Sequence, residues 1–163
     1  MVMLLATNKG RLKIALLRTE GEGVVRVSLP NGKRYQGMIT DLIRQGKLME
    51  SENYGTHWTW AILLESEKVV VVLEADNNDP FMNIQELYSF ERGKGYASKA
   101  MKKVVDAADK WGVNIELDVE PFSYEVSEGV NEILDGQQLE IFYGKYGFTK
   151  TYMNGIDYFH RII

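Results

Sequence analysis

From Ala97 to Ala108 the apolar residues Ala97, Ala100, Met101, Val104, Val105 and Ala108 recur at i, i+3, i+4, i+7, i+8 and i+11, which is one face of a helix with a 3.6-residue period. Gly112, just past Lys110, supplies the stop. The residues from Ile84 read as a short strand and Arg92 to Tyr96 as a tight glycine turn. Ile84 to Gly112 is therefore a strand, a turn and a helix, and the other patterns are arranged around it. Leu12 to Arg18 and Val24 to Leu29, either side of Gly21-Glu22-Gly23, predict a hairpin, although periodicity also allows a helix to begin at Leu12. Asn31 offers an N-cap for a helix that carries Tyr35, Met38, Ile39, Leu42 and Ile43 and ends near Gly46.

Lys47 to Gly55 is polar and reads as a loop. The alternation of Trp58, Trp60, Ile62 and Leu64, the turn Glu65 to Lys68 and the apolar run Val69 to Leu73 predict two central strands. Asp76 to Pro80 is a turn cluster. Val113, Ile115, Leu117 and Val119 alternate as a further strand, which Pro121 ends or kinks. Residues 122–137 show no period and read as a long connection. Gln138 to Tyr146 reads as a short helix, and Phe148 to Met153 and Ile156 to Ile162 flank Asn154-Gly155, a type I′ hairpin signal. The sum is one α+β domain over residues 1–163, α/β/α-like, with a mixed, mainly antiparallel sheet flanked by helices.

Composition narrows the chemistry. At 163 residues the chain is long enough to bury a core without staples. It has no cysteine, which excludes a disulfide framework, a thiolate metal site and a cysteine nucleophile. Two histidines, His57 and His160, are too few to suggest a metal centre. The apolar run from Met1 to Ala6 is too short for a signal-peptide core or a membrane span, so a soluble, cytoplasmic protein without membrane contact is expected. The formal charge of -4 disfavours nucleic acid as a partner. Between Lys110 and Lys145 there is no Lys or Arg, while Glu116, Asp118, Glu120, Glu125, Glu128, Glu132, Asp135 and Glu140 all fall there. A solvated acidic loop is the commoner meaning of such a run; attraction of a cationic acceptor is the other.

The glycine turn is the first candidate for chemistry. A strand that feeds a glycine turn opening a helix leaves backbone N–H groups unpaired where the macrodipole is positive. Gly93 and Gly95 let an anion approach those amides, and Arg92 and Lys94 add charge. An ordinary strand-to-helix turn with two glycines is the alternative. The turn is not a Walker loop, since no Gly-Lys-Ser/Thr follows at the required spacing, and Ser98 stands where a dinucleotide fingerprint has its third glycine.

Arg92-Gly93-Lys94-Gly95-Tyr96-Ala97 resembles the Arg/Gln-x-x-Gly-x-Gly/Ala loop of the GNAT superfamily of acyl-CoA-dependent N-acetyltransferases, with Leu87 and Ser89 at the places of that family's Val-x-Pro. Leu139 to Phe148 is similar to the family's Phe-Tyr-x-Lys-x-Gly-Phe segment. The resemblance covers about Thr56 to Arg161 and leaves residues 1–55 divergent, with a hairpin and one helix where the family has a strand and two helices. It implies a GNAT-like fold that uses acetyl-CoA as co-substrate and no metal. The pyrophosphate would lie on the amides of Gly93, Lys94, Gly95, Tyr96, Ala97 and Ser98 beside Arg92, and the pantetheine along Leu87, Tyr88 and Ser89.

The resemblance also implies roles for side chains. Tyr143 matches the tyrosine that protonates the CoA sulfur; a buried aromatic anchoring its helix is the other reading. Glu86 resembles the position from which some members deprotonate the amine, and a solvent-facing carboxylate is an equal reading, with Asp118, Glu120 and Tyr88 as alternatives. Without a cysteine, direct attack by the acceptor in a ternary complex is the simplest route. The expected activity is transfer of an acetyl group to a primary amine of a small molecule or peptide, by a monomer or homodimer. A catalytically inactive GNAT-fold module that still binds CoA is the first rival, and an unrelated α+β domain with coincidental motifs is the second.

Overall fold

The computed structural model describes residues 3–4, 7–8, 11–12, 15–18, 24–26, 29–118 and 136–163, and the chain divides into two compact units, Met1–Pro30 and Asn31–Ile163. The first unit contains β1 (Met3–Leu4), β2 (Thr7–Asn8), β3 (Arg11–Leu12), β4 (Ala15–Arg18) and β5 (Val24–Arg26). Here β4 pairs antiparallel with both β1 and β5, and β2 pairs with β3. The β4–β5 pair is the hairpin expected around Gly21-Glu22-Gly23, rather than a helix beginning at Leu12.

The second unit runs α1 (Asn31–Gln45), β6 (Lys47–Tyr54), β7 (His57–Leu64), β8 (Val69–Asp76), β9 (Phe81–Ser89), α2 (Tyr96–Trp111), β10 (Asn114–Asp118), α3 (Gly136–Gly144), β11 (Thr149–Met153) and β12 (Ile156–Arg161). Among the described residues its strands form one seven-stranded sheet in the order β11-β12-β10-β9-β8-β7-β6. Every neighbouring pair is antiparallel except β9 with β10. This is the mixed, mainly antiparallel α+β sheet flanked by helices that the sequence patterns predict.

One face of the sheet makes the core. Trp60, Ile62, Leu64, Val69, Val71, Leu73, Ala75, Met82, Ile84, Ile115, Leu117 and Phe159 are buried beneath the apolar stripes of α1 and α2. Burial of each large side chain contributes about 1.5–3 kcal/mol, so this face fixes the register of every strand it includes. The two helices approach closely because Gly37 has no side chain: a Cβ there would lie 2.4 Å from the Trp111 ring. Between them the buried Asp41 accepts from Lys110 Nζ at 2.6 Å and Trp111 Nε1 at 2.8 Å. At the C-terminal hairpin Asn154 and Gly155 take φ of 56° and 83°, as a type I′ turn requires.

One expectation is corrected. Residues 47–54 form the edge strand β6, not a loop, paired with β7 from Lys47↔Leu63 to Tyr54↔His57. All eight of its side chains are exposed, so no burial imprints a two-residue period, and only the backbone ladder holds it. A bulge between Leu48 and Glu50 interrupts the ladder, a common protection for an open edge. The Pro121 boundary and most of the connection read over 122–137 lie outside the described residues. No described helix is long and apolar enough to cross a membrane.

Candidate active site

The site begins with a defect in the sheet. On one side β9 pairs with β8 along its length, from Ala75↔Met82 to Val69↔Ser89, but Leu73 faces Ile84 while Val72 faces Glu86. Gln85 is therefore an extra residue, a bulge that bends the strand. On the other side β9 pairs with β10 only through Asn114↔Phe81, Ile115↔Met82 and Glu116↔Asn83. Beyond Asn83 and Glu116 the two parallel strands part. From Ile84 to Ser89 the second edge of β9 has no β10 partner, although a β-strand carries hydrogen-bonding groups along both edges.

The open edge leads into the glycine turn. Ser89 Oγ donates to the Glu91 carbonyl at 2.8 Å, and the Phe90 N–H donates to the Lys68 carbonyl at 2.9 Å, fixing the start of the turn. Gly93 and Gly95 have φ of 73° and 75°, a left-handed conformation that favours glycine. A Cβ on either would meet nothing within 4 Å, so the space beside them is open. Gly95 is the N-cap of α2 and no side chain caps that helix, which leaves the first-turn amides available to a ligand. Tyr96 is partly buried against the core, and Ser98 is exposed.

The charges around the turn differ from the sequence expectation. Glu91 sits between Lys68 and Lys94, bonding Lys68 and lying 3.0 Å from Lys94 Nζ. The Lys68 ammonium, then Lys94, holds the Glu91 carboxyl below the usual carboxylate range. Arg92 places its guanidinium 5.9 Å from the centre of the Tyr88 ring. Lys68, Arg92 and Lys94 against Glu91 leave two net positive charges, with Lys94 already shared. Glu91 was missed from sequence; its signal was a carboxylate directly before the arginine of a basic turn.

The second motif meets the first through α3 and the turn after it. Tyr146 Oη donates to the Ser98 carbonyl, in the first turn of α2, at 3.0 Å. The Tyr146 carbonyl accepts from Arg161 Nε at 2.8 Å, and the same guanidinium grips both oxygens of Asp109 on α2, at 2.6 and 2.9 Å. Tyr143 lies in an aromatic cluster, its ring centre 5.2 Å from Phe142, 5.7 Å from Phe148 and 6.4 Å from Phe159. Phe159 is the register partner of Leu117, the first residue of β10 beyond its pairing with β9. Tyr143 is thus linked through Phe159 to the residue at which β10 leaves β9. Burial pushes its phenol up to about 12.

Not every expected residue converges. Leu87, partnered with Val71, turns to the helix-bearing face with Tyr143, and is partly buried there. Glu86 and Tyr88 pair with Val72 and Val70, and so project from the opposite face. Glu86 and Tyr143 can meet a common molecule only across the gap between β9 and β10. Asp118 ends β10 opposite Tyr158, and Glu120 lies outside the described residues. Of the acidic run, Glu116 lies 3.4 Å from His160, both partly buried, and Glu140 pairs with Lys150 at 2.6 Å. No cluster of three or more His, Asp or Glu side chains suited to a metal ion occurs among the described residues.

Fold and site together define an α+β protein whose central parallel strand pair opens onto an uncapped, glycine-led helix start. No protein-family model matches the chain, and no curated protein matches it. Three chains of solved structures do match. One is described as the crystal structure of anti-CRISPR protein AcrVA5, at 16% identity and a TM-score of 0.43, over 58% of this chain and 92% of that one. The two share too little for activity to be carried across.

Proposed function

We propose that this chain is a GNAT-like N-acetyltransferase that moves an acetyl group from acetyl-CoA to a primary amine of a small molecule or peptide. The observation that carries the reading is the parting of β9 from β10 at Asn83 and Glu116, which leads along an open strand edge to the uncapped start of α2. A pantetheine arm has amides that can pair, as a strand would, with the edge of β9 beyond its pairing with β10, along Leu87, Tyr88 and Ser89. The amides of Gly93 to Ser98 and the Arg92 side chain suit a pyrophosphate, and Lys94 joins them by giving up part of its bond to Glu91.

Acetyl-CoA supplies the thioester; the amine nitrogen forms a bond to its carbonyl carbon as the carbon–sulfur bond breaks. Glu86 receives the proton that the amine loses, on the far side of the gap. Tyr143, held protonated by its burial, donates a hydrogen bond to the sulfur as negative charge develops there. Its acidity is too weak for full proton transfer to a thiolate, whose conjugate thiol has a pKa near about 8.5. That mismatch favours, as a second reading, a module that binds CoA without turnover.

Calorimetric titration with acetyl-CoA tests the site. Wild type should bind saturably. Gly95→Asn, which tolerates the left-handed backbone, should also bind, and Gly95→Glu should lose binding because it brings a negative charge to the helix start. Equal affinity of the three proteins would remove the glycine turn as the anion site. Release of free thiol when amines are added then separates the enzyme from the silent binder.

A further inference from the structure

Phe90 has no role in the chemistry above, yet it is placed as a ligand contact is placed. It follows β9 directly, its N–H is fixed to the Lys68 carbonyl, and the residue is 57% exposed. The edge of one ring meets the face of the other between Phe90 and Tyr88, with centres 5.3 Å apart and planes at 78°. The ring is held by backbone and by a second aromatic, but is otherwise open to water. Core packing does not explain that. Lys68 and Lys94 gather on Glu91, Arg92 lies over Tyr88, and Gly93 is three residues on. Chain geometry keeps Phe90 within about 10 Å of Gly93.

A rigid exposed ring beside a net positive turn and free helix amides matches a nucleotide: a base has a π-face to stack and phosphates to place on the cations. We infer that Phe90, buttressed by Tyr88, is the stacking platform for the purine base of a nucleotide whose phosphates lie at the glycine turn. The inference rests on the acetyl-CoA reading and names the contact of its adenosine end. The opposing idea, that the ring covers a partner protein, finds no support in the surrounding charge, which suits phosphate.

The experiment uses three probes on wild type, Phe90→Ala and Phe90→Trp: acetyl-CoA, adenosine 3′,5′-bisphosphate and acetyl-pantetheine, the last lacking the nucleotide. Phe90→Ala should weaken acetyl-CoA and the bisphosphate about 5- to 100-fold, the range expected for one base–aromatic stack, and leave acetyl-pantetheine unchanged. Phe90→Trp should restore binding. The melting temperature should not move, because the ring is exposed. Unchanged acetyl-CoA affinity in Phe90→Ala, or equal loss of all three probes, would overturn the inference alone. Wild type that binds the bisphosphate but neither thioester would keep the platform and sink the acetyltransferase reading; binding of no probe would sink both.

Discussion

Replacing Tyr143 by Phe separates a functional hydroxyl from a structural ring. The ring contacts with Phe142, Phe148 and Phe159 all survive the change. The hydroxyl has no hydrogen-bond partner among the described residues, and burial alone moves its pKa from 10.0 to about 12. Two pKa units correspond to about 2.7 kcal/mol against the phenolate, a measure of how poorly solvated the oxygen is. Tyr143 is only partly buried, so its hydroxyl is not sealed from water and removing it should change stability by no more than about 1 kcal/mol. Tyr143→Phe should therefore melt within about 2–4 °C of the parent.

Activity should fall all the same. A donor aimed at developing charge is worth about 10- to 1,000-fold in kcat, with KM for acetyl-CoA nearly unchanged. The assays are thermal unfolding by circular dichroism and thiol release in the presence of amine. The pH dependence has a fixed sign as well. Because the folded pKa lies above the unfolded value, the unfolded chain loses its proton first, and the parent loses stability as pH rises from about 10 to 12. Tyr35, also pushed up to about 12, does the same in both proteins, so their difference isolates Tyr143. Retained activity in Tyr143→Phe would refute the role; destabilisation beyond about 2 kcal/mol with parallel loss of activity would make the hydroxyl structural.

Two further changes probe the scaffold. The Lys110 ammonium, then the Trp111 N–H, hold the Asp41 carboxyl below its ordinary range, so its contribution is present above the unfolded pKa and disappears as pH falls through the folded one. Asp41→Asn should cost about 1–3 kcal/mol at pH 7, with the gap to wild type closing in melts taken toward pH 3; a gap independent of pH would contradict the pairing. Gly37→Ala gains about 1 kcal/mol of helix propensity but drives a methyl into the Trp111 ring, and should be destabilised by about 1–2 kcal/mol net with altered tryptophan emission. A more stable variant would mean that Gly37 does not set the spacing of α1 and α2.

What could be read from the sequence was what is local or periodic. Ala97 to Ala108 and Tyr35 to Ile43 carry complete helical stripes, and their helices lie where the stripes put them. The glycine turn and Asn154-Gly155 were legible because left-handed backbone restricts residue choice. The strand β6 was not, since its eight exposed side chains record nothing of the ladder that holds it. Nor was Glu91: a carboxylate in a turn looks solvated until Lys68, far away in sequence, is brought to it. The tie from Arg161 to Asp109 spans 52 positions and belongs to neither motif.

The least legible feature is the one on which the proposed chemistry depends. Nothing in the residues Ile84 to Ser89 announces that β10 leaves their second edge, because a parting of strands is a relation between β9 and β10 and not a property of either. An open edge inside a sheet forgoes ladder hydrogen bonds worth about 0.5–1.5 kcal/mol each, so something else must hold β9 in place. On one side the seven register pairs with β8 do so, and from above Met82 and Ile84 are packed in the core that α1 and α2 share with the sheet. On the far side Leu117 keeps its pairing with Phe159, so β10 cannot close the gap by drifting toward β9 without leaving β12. Among the described residues the parting is therefore braced on both sides, and a ligand that completes the edge would gain its hydrogen bonds without having to separate β9 from β10 first.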